Sequence, residues 1–148
     1  MAINESRLMN GTLKLGPTAT AMDASCQITN VRITSTYSDD GDAVTVLCGD
    51  MKPPPRKLDG HKLEGTFVQD WDTDAVSPAT GGIIKYCWDH DLEVVAYEYT
   101  PNDTTHAPTI TGNVMIEIPG DTYGGDVNKR ITSDFAWNMQ EKPTFTAT

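Results

Sequence analysis

Ile110, Gly112, Val114, Ile116 and Ile118 occupy every second position, with Thr111, Asn113 and Glu117 between them. Successive side chains of a strand point to opposite faces, so this period predicts a β-strand with one buried face and excludes an amphipathic helix. The same alternation recurs in Thr12-Leu13-Lys14-Leu15 and in Leu63, Gly65 and Phe67. It recurs again in the closing run, where Ile131, Phe135, Trp137 and Met139 oppose Arg130, Thr132, Asp134 and Ala136. From Leu92 to Thr100 both phases are apolar: Leu92, Val94 and Ala96 on one face, Val95, Tyr97 and Tyr99 on the other. That pattern predicts a strand covered on both sides.

Between Cys26 and Tyr37 the apolar phase slips, with Cys26 and Ile28 in one register and Val31 and Ile33 in the other. A slip of one residue predicts a bulge near Asn30. Asp40-Gly41 supplies a turn, and Val44, Val46 and Cys48 alternate after it, so residues 26–48 read as one β-hairpin. Residues 49–62 read as a long loop, because Pro53-Pro54-Pro55 cannot donate to a ladder. A single helix is predicted near residues 78–89, with Ser77 as N-cap, Pro78 at the first turn and Ile84, Cys87 and Trp88 as the apolar stripe. Residues 1–11 read as a flexible arm and residues 140–148 as a short polar tail. The fold class is therefore mainly β: one domain, residues 1–148, an antiparallel β-sandwich or partly closed barrel of about seven strands with one flanking α-helix.

Chemistry is hard to find in this chain. The formal net charge of −10 argues against a nucleic-acid reader and against an anionic membrane surface. No apolar run reaches the roughly 20 residues a bilayer span needs, and the first residues carry no signal-peptide core, so synthesis in a host cytoplasm is expected. Cys26, Cys48 and Cys87 show no CxxC spacing and read as buried free thiols. His61, His90 and His106 lie in turns or loops with no second ligand at a zinc spacing, although Asp89 and Asp91 flank His90. Asp70, Asp72 and Asp74 open like an EF-hand loop, but Ala75 stands where glycine is needed and Gly81 where the closing glutamate is needed. There is no nucleophile elbow and no phosphate-binding loop. No enzyme, metal or cofactor is expected. Trp88 and Trp137 fall in phase with core residues, whereas Trp71 sits among aspartates and could stack on a sugar ring.

The last third of the chain carries a family resemblance. Gly124-Gly125-Asp126, then Ile131-Thr132-Ser133-Asp134-Phe135-Ala136-Trp137, then Lys142-Pro143-Thr144, resembles the closing strand of tail tube (major tail) proteins of long-tailed bacteriophages, in particular those of actinobacterial phages. Leu63-Glu64-Gly65-Thr66, Gln69-Asp70-Trp71, the helix, and the strand ending in Thr100-Pro101 stand upstream in that family's order. Glu141 replaces a glycine common before the final proline. The resemblance covers about residues 44–146.

It implies a structural virion protein, located in the phage tail. Six copies would form a ring, rings would stack into a hollow tube, and DNA and the tape measure protein would pass through the lumen without specific contacts to DNA. A tail-tip initiator and a tail terminator would be its other partners. Lys52, Pro54, Arg56, Lys57 and Lys62 make a basic loop on an acidic body and are the expected subunit and ring interface. Two alternatives stand beside this one: a tail terminator or other single-ring virion protein, and a stand-alone β-sandwich that binds carbohydrate through Trp71.

Overall fold

The computed structural model describes residues 7–17, 22–71, 82–103 and 107–147. Five strands form one sheet in the spatial order β10 (Thr144–Ala147), β8 (Pro108–Met115), β7 (Val94–Thr100), β1 (Thr12–Leu15) and β2 (Met22–Asp23). Three more, β3 (Ile28–Asp39), β6 (Arg56–Val68) and β9 (Thr132–Asn138), form a second sheet with β6 in the middle. The two-residue strands β4 (Val44–Thr45) and β5 (Met51–Lys52) make a separate small hairpin. Every strand pairing is antiparallel. The mainly β, sandwich-like class read from the sequence holds, with one helix, α1 (Ile83–Asp89), against it.

The alternating residues meet in the core. Leu13 and Leu15 of β1, Tyr97 and Tyr99 of β7, and Ile110 and Val114 of β8 face Leu63 and Phe67 of β6 and Phe135 and Trp137 of β9. Ile83, Ile84 and Cys87 add the buried stripe of α1. Trp137 is the largest wholly buried side chain; its ring lies 4.4 Å from that of Phe135, and its indole N–H donates to the Glu117 carbonyl at 3.1 Å. Truncating such a residue to alanine costs about 3–5 kcal/mol. Along one side the sheets are stitched together where β9 runs on to Met139, which bridges Val114, and Gln140 N–H reaches the Asn113 carbonyl at 3.0 Å. The chain then enters β10 on the same strand, β8.

The phase slip at the start of β3 is a bulge: Ile28 opposes Phe67, Asn30 opposes Thr66, and Thr29 is the extra residue. It presses the Asn30 carbonyl onto Gly65, where any Cβ would collide with it. Gly112 plays a similar part on the other sheet, leaving room for the ring of Tyr97 directly across from it.

Several expectations are corrected. β3 does not pair with residues 44–48; its partner is β6, and Val44–Thr45 pairs only with Met51–Lys52. Residues 56–62 are therefore strand, not loop. The helix is described from Ile83, with Gly82 as N-cap and no side-chain cap; the Ser77 and Pro78 part of that reading lies outside the described residues, as do Asp72, Asp74 and His106. Trp88 is half exposed, because a helix of seven residues buries only Ile83, Ile84 and Cys87. β7 is covered on one face alone, and Leu92, Val94 and Ala96 face outward. Cys87 is buried as expected, but Cys26 and Cys48 are exposed.

Two outcomes follow for stability. Gly65→Ala must displace backbone at the bulge, and overpacking of this kind costs about 1–3 kcal/mol; thermal melting should show a lower Tm, and an unchanged Tm would mean that the bulge yields freely. Burial holds Tyr97 up from 10.0 to about 12, with Glu141 adding to it, and raises Tyr99 in the same direction. It holds Tyr86 up to about 12, helped by Cys87 and Glu93, and Cys87 up from 9.0 to about 12, helped by Asp91. The unfolded chain loses these protons first, so stability is intact below about pH 9 and falls as pH rises toward the folded values. Denaturant melts at pH 8 and about pH 11 should differ in that direction.

Candidate assembly surfaces

β6 has partners on both edges only from Lys62 to Val68, where β9 lies beside it. The His61 carbonyl still accepts the Met139 N–H at 2.9 Å, but from Gly60 back to Arg56 the strand pairs with β3 alone, over Thr36 to Asp39. This stretch is a two-stranded ribbon that leaves the sandwich, tipped by the β4–β5 hairpin. Asp40-Gly41 makes the turn read from the sequence, with Gly41 at φ 108°, but it leads into the tip and not into a return strand. A second turn closes the tip: Val46 N–H bonds the Asp50 carbonyl, and Gly49 N–H bonds that of Val46, with Gly49 at φ 90°.

An isolated two-stranded ribbon is marginal in water, and this one presents apolar side chains to solvent. Tyr37 lies directly across from Leu58, and both are about half exposed. Val44, Met51 and above all Leu47, which is fully exposed, crown the tip. Contiguous exposed apolar residues mark a surface that another molecule covers. The tip is concealed in the sequence, because Val44, Val46 and Cys48 alternate as inward-facing residues do.

The basic residues fall along the same arm. Lys52 sits at the tip, Pro54 just before β6, and Arg56 and Lys57 at its start, with Lys62 at the root. They are less of a basic island than the loop alone suggested. Asp39, Asp40, Asp42, Asp50 and Asp59 share the arm with Lys52, Arg56, Lys57 and Lys62. Arg56 is already held by Asp39 at 2.8 Å, and Asp59 accepts a hydrogen bond from Ser38 at 2.7 Å. Lys52 and Lys57 have no ion pair among the described residues.

At the opposite end of β3 lies a groove of about 350 Å³ lined by residues 8–13, 25–26 and 28–31 together with Tyr99 and Pro101. It contains no charged side chain, and Cys26 stands in its wall. Sheet edges also stay open among the described residues: β10 and β2 end the five-stranded sheet, β3 and β9 the three-stranded one, and β10 is exposed throughout. An aromatic pair, Trp71 and Tyr123, is exposed near the helix end of the sandwich, with ring centroids 6.4 Å apart and the Trp71 N–H on Gln69 at 2.8 Å. His90 does not gather ligands; its Nδ1 lies 2.7 Å from Glu93, and its ring packs on Tyr86. No group of three potential metal ligands occurs among the described residues.

With that geometry in place, the likeness to known proteins is informative. The fold is similar to that of a chain in the virion of a native gene transfer agent particle, with a TM-score of 0.54, 18% sequence identity, and an alignment covering 91% of this chain and 95% of that one. At this identity the likeness establishes a shared fold. No protein-family model and no curated protein sequence matches the chain.

Thiol accessibility separates the described surfaces from the core. Cys26 and Cys48 are exposed, whereas burial pushes the Cys87 thiol up to about 12 and keeps it protonated. Titration with Ellman's reagent at neutral pH should find two fast thiols and a third only on denaturation, and one fast thiol in Cys48→Ser. Three fast thiols would contradict the packing of α1.

Proposed function

We propose that this chain is a structural virion protein that builds the tube of a phage-type tail, as a six-copy ring stacked on further rings. The observation that carries the reading is the projecting ribbon with its uncovered apolar tip, on a fold shared with a virion chain and end-to-end coverage of both. A closed monomer has no use for such an arm, whereas a head-to-tail assembly does, because a contact that does not close produces a filament. The open edges of β10 and β3 and the exposed Val94 and Ala96 on β7 are further surfaces for neighbours in a ring, and pairing edges removes their liability to uncontrolled association. The net charge of −10 suits a conduit through which DNA must slide without sticking, alongside the tape measure protein. Tail-tip initiator and terminator would set the two ends.

Lys52 and Lys57 would supply the attractive charge where the arm meets the acidic body of a neighbour, with Pro54 stiffening the return into β6. Electron microscopy of the concentrated protein, with and without a tail-tip initiator, tests the reading. Hollow filaments are expected; isolated rings would favour a terminator. In Lys52→Glu/Lys57→Glu the filaments should fail while the melt stays within about 0.5 kcal/mol of the parent, since both side chains are exposed. Normal filaments from this variant would remove the arm lysines from the junction.

One observation favours a second reading. The exposed Trp71–Tyr123 pair offers a stacking platform with Gln69 beside it, as a carbohydrate-binding module would. Persistent monomers that bind glycans, with binding lost in Trp71→Ala, would select that reading over the tube.

A further inference from the structure

One exposed tryptophan is tied to the interior of the sandwich. Trp71 is about half exposed, yet its indole N–H donates to Gln69 Oε1 at 2.8 Å. Gln69 Nε2 in turn donates to the buried Ser133 Oγ at 2.7 Å and to the Gly124 carbonyl at 3.2 Å, and Ser133 donates onward to the Asp121 carbonyl at 2.6 Å. The backbone is held as well: Gln69 N–H bonds the Ile131 carbonyl at 3.0 Å, and the Asp70 carbonyl packs on Gly82, where a Cβ would strike it. Asp121 and Gly124 flank Tyr123, so the same bonds anchor the loop that carries its ring, 6.4 Å from that of Trp71 at 50°. Tyr123 sits at φ 54°, a left-handed conformation that is strained for a bulky residue and free for glycine. Strain of this kind persists where the surroundings impose it, and it gathers at ligand clamps. Two aromatic faces are thus fixed in solvent, and with its N–H already bonded Trp71 has only its face left to offer.

Beside Trp71 lies an open hollow of about 480 Å³ walled by Cys26, Gln27, Val68, Gln69 and Asp70. Its amides are placed in advance: Gln27 Oε1 accepts the Ile83 N–H at 3.0 Å, and Gln69 is held as above. In the flanking segments Asp70, Asp121 and Asp126 stand against Lys129 and Arg130, and Lys129 already lies 4.0 Å from Asp126. The described flanks therefore carry no net positive charge with which to hold a phosphate or a nucleic-acid strand. A pyranose ring has the complementary make-up, a C–H face for an aromatic ring and a rim of hydroxyls for amides and a carboxylate. We propose that Trp71 and Tyr123 form a binding site for an uncharged polysaccharide, one sugar ring stacked on Trp71 with its hydroxyls toward Gln69 and Asp70, and a neighbouring ring against Tyr123. The inference rests on the sugar platform of the second reading but not on a stand-alone module, because the platform shares no residue with the arm and a tube subunit can carry it. Gln69 is a positioning residue: it fixes the indole before the sugar arrives, which spares the cost of ordering that side chain on binding.

The test is native affinity electrophoresis of the full-length protein through gels cast with soluble starch, mixed-linkage β-glucan, galactomannan or glycol chitin, and with polygalacturonate as the anionic control. At least one neutral gel should retard the parent, and the anionic gel should not. Trp71→Ala should run unretarded. Gln69→Ala should weaken retention several-fold, whereas in a Trp71→Phe background, which has no indole N–H to position, the same change should cost nothing further. Tyr123→Gly should weaken retention while its Tm stays near the parent's, because glycine relieves the left-handed backbone. No retention in any neutral gel, or retention unchanged in Trp71→Ala, would overturn the proposal. A lower Tm with full retention in Tyr123→Gly would overturn the part given to Tyr123 and leave it a packing contact. Quenching of tryptophan fluorescence by polyproline, lost in Trp71→Ala and seen without any retention by sugar, would overturn the sugar and assign the platform to a peptide. Micrographs of the same sample keep this inference apart from the assembly readings. Tubes without retention would overturn the sugar site and leave the tube standing. Retention with tubes would support both, and retention by monomers alone would support the site and select the stand-alone module.

Discussion

The pairing of β3 with β6 is the constraint on which the other features depend. At its root the pair is part of the sandwich, with Leu63, Gly65 and Phe67 packed inward and β9 bonded along the far edge of β6. Above His61 it has only itself. Two bulges interrupt the pair, one in the bound part at Thr29 over Gly65 and one in the free part, where Thr36 opposes Gly60 and Tyr37 opposes Leu58, leaving Asp59 extra. A bulge bends and twists the strand that carries it, so the arm's direction is set by the body and by Asp59. The polar links along the ribbon, Arg56 to Asp39 and Ser38 to Asp59, are solvated and contribute little each. What keeps the ribbon extended is its anchorage below and, in an assembly, whatever covers Tyr37, Leu58 and the tip above.

Much of this fold was legible because a strand with one buried face advertises itself. β1, β8 and β9 were read from alternation, the bulge from a slip of phase, and the core assignment of Trp137, Phe135, Leu63 and Phe67 from their register. The errors share one cause. A two-residue period reports that a strand has two unlike faces, but not which face is inside or which strand lies beside it. Val44, Val46 and Cys48 alternate as cleanly as Leu63, Gly65 and Phe67, and proximity in sequence favoured pairing them with β3 across Asp40-Gly41. The longer-range pairing prevails because β6 offers β3 a full set of rungs and a buried face, whereas residues 44–48 offer neither.

The same ambiguity governs the exposed surfaces. Leu92, Val94 and Ala96 pattern like core, and Trp88 follows Cys87 in an apolar stripe, yet all four face outward from a single copy. Residues that look buried in sequence but are exposed in one chain are what a self-assembling protein should contain, because its sequence is matched to the assembly. The basic cluster was the opposite case: conspicuous in sequence, largely balanced by neighbouring aspartates in three dimensions. The Leu47 tip and the uncharged groove had no sequence signature, since the groove is gathered from β1, the start of β3 and the end of β7.

Charge then decides how such a surface must work. Copies bearing −10 each repel one another at range, so association cannot rest on the overall field. It needs short-range terms that grow once the copies touch: burial of apolar area at about 25 cal/mol per Å², and lysine–carboxylate pairs that escape screening when partly desolvated. One arm contact of this size is weak by itself. In the proposed ring each further contact would form within an assembly already held together, with the effective concentration of the next arm set by geometry. On the tube reading, a protein with these surfaces would stay dispersed while single and become stable once a template presents several neighbours at once.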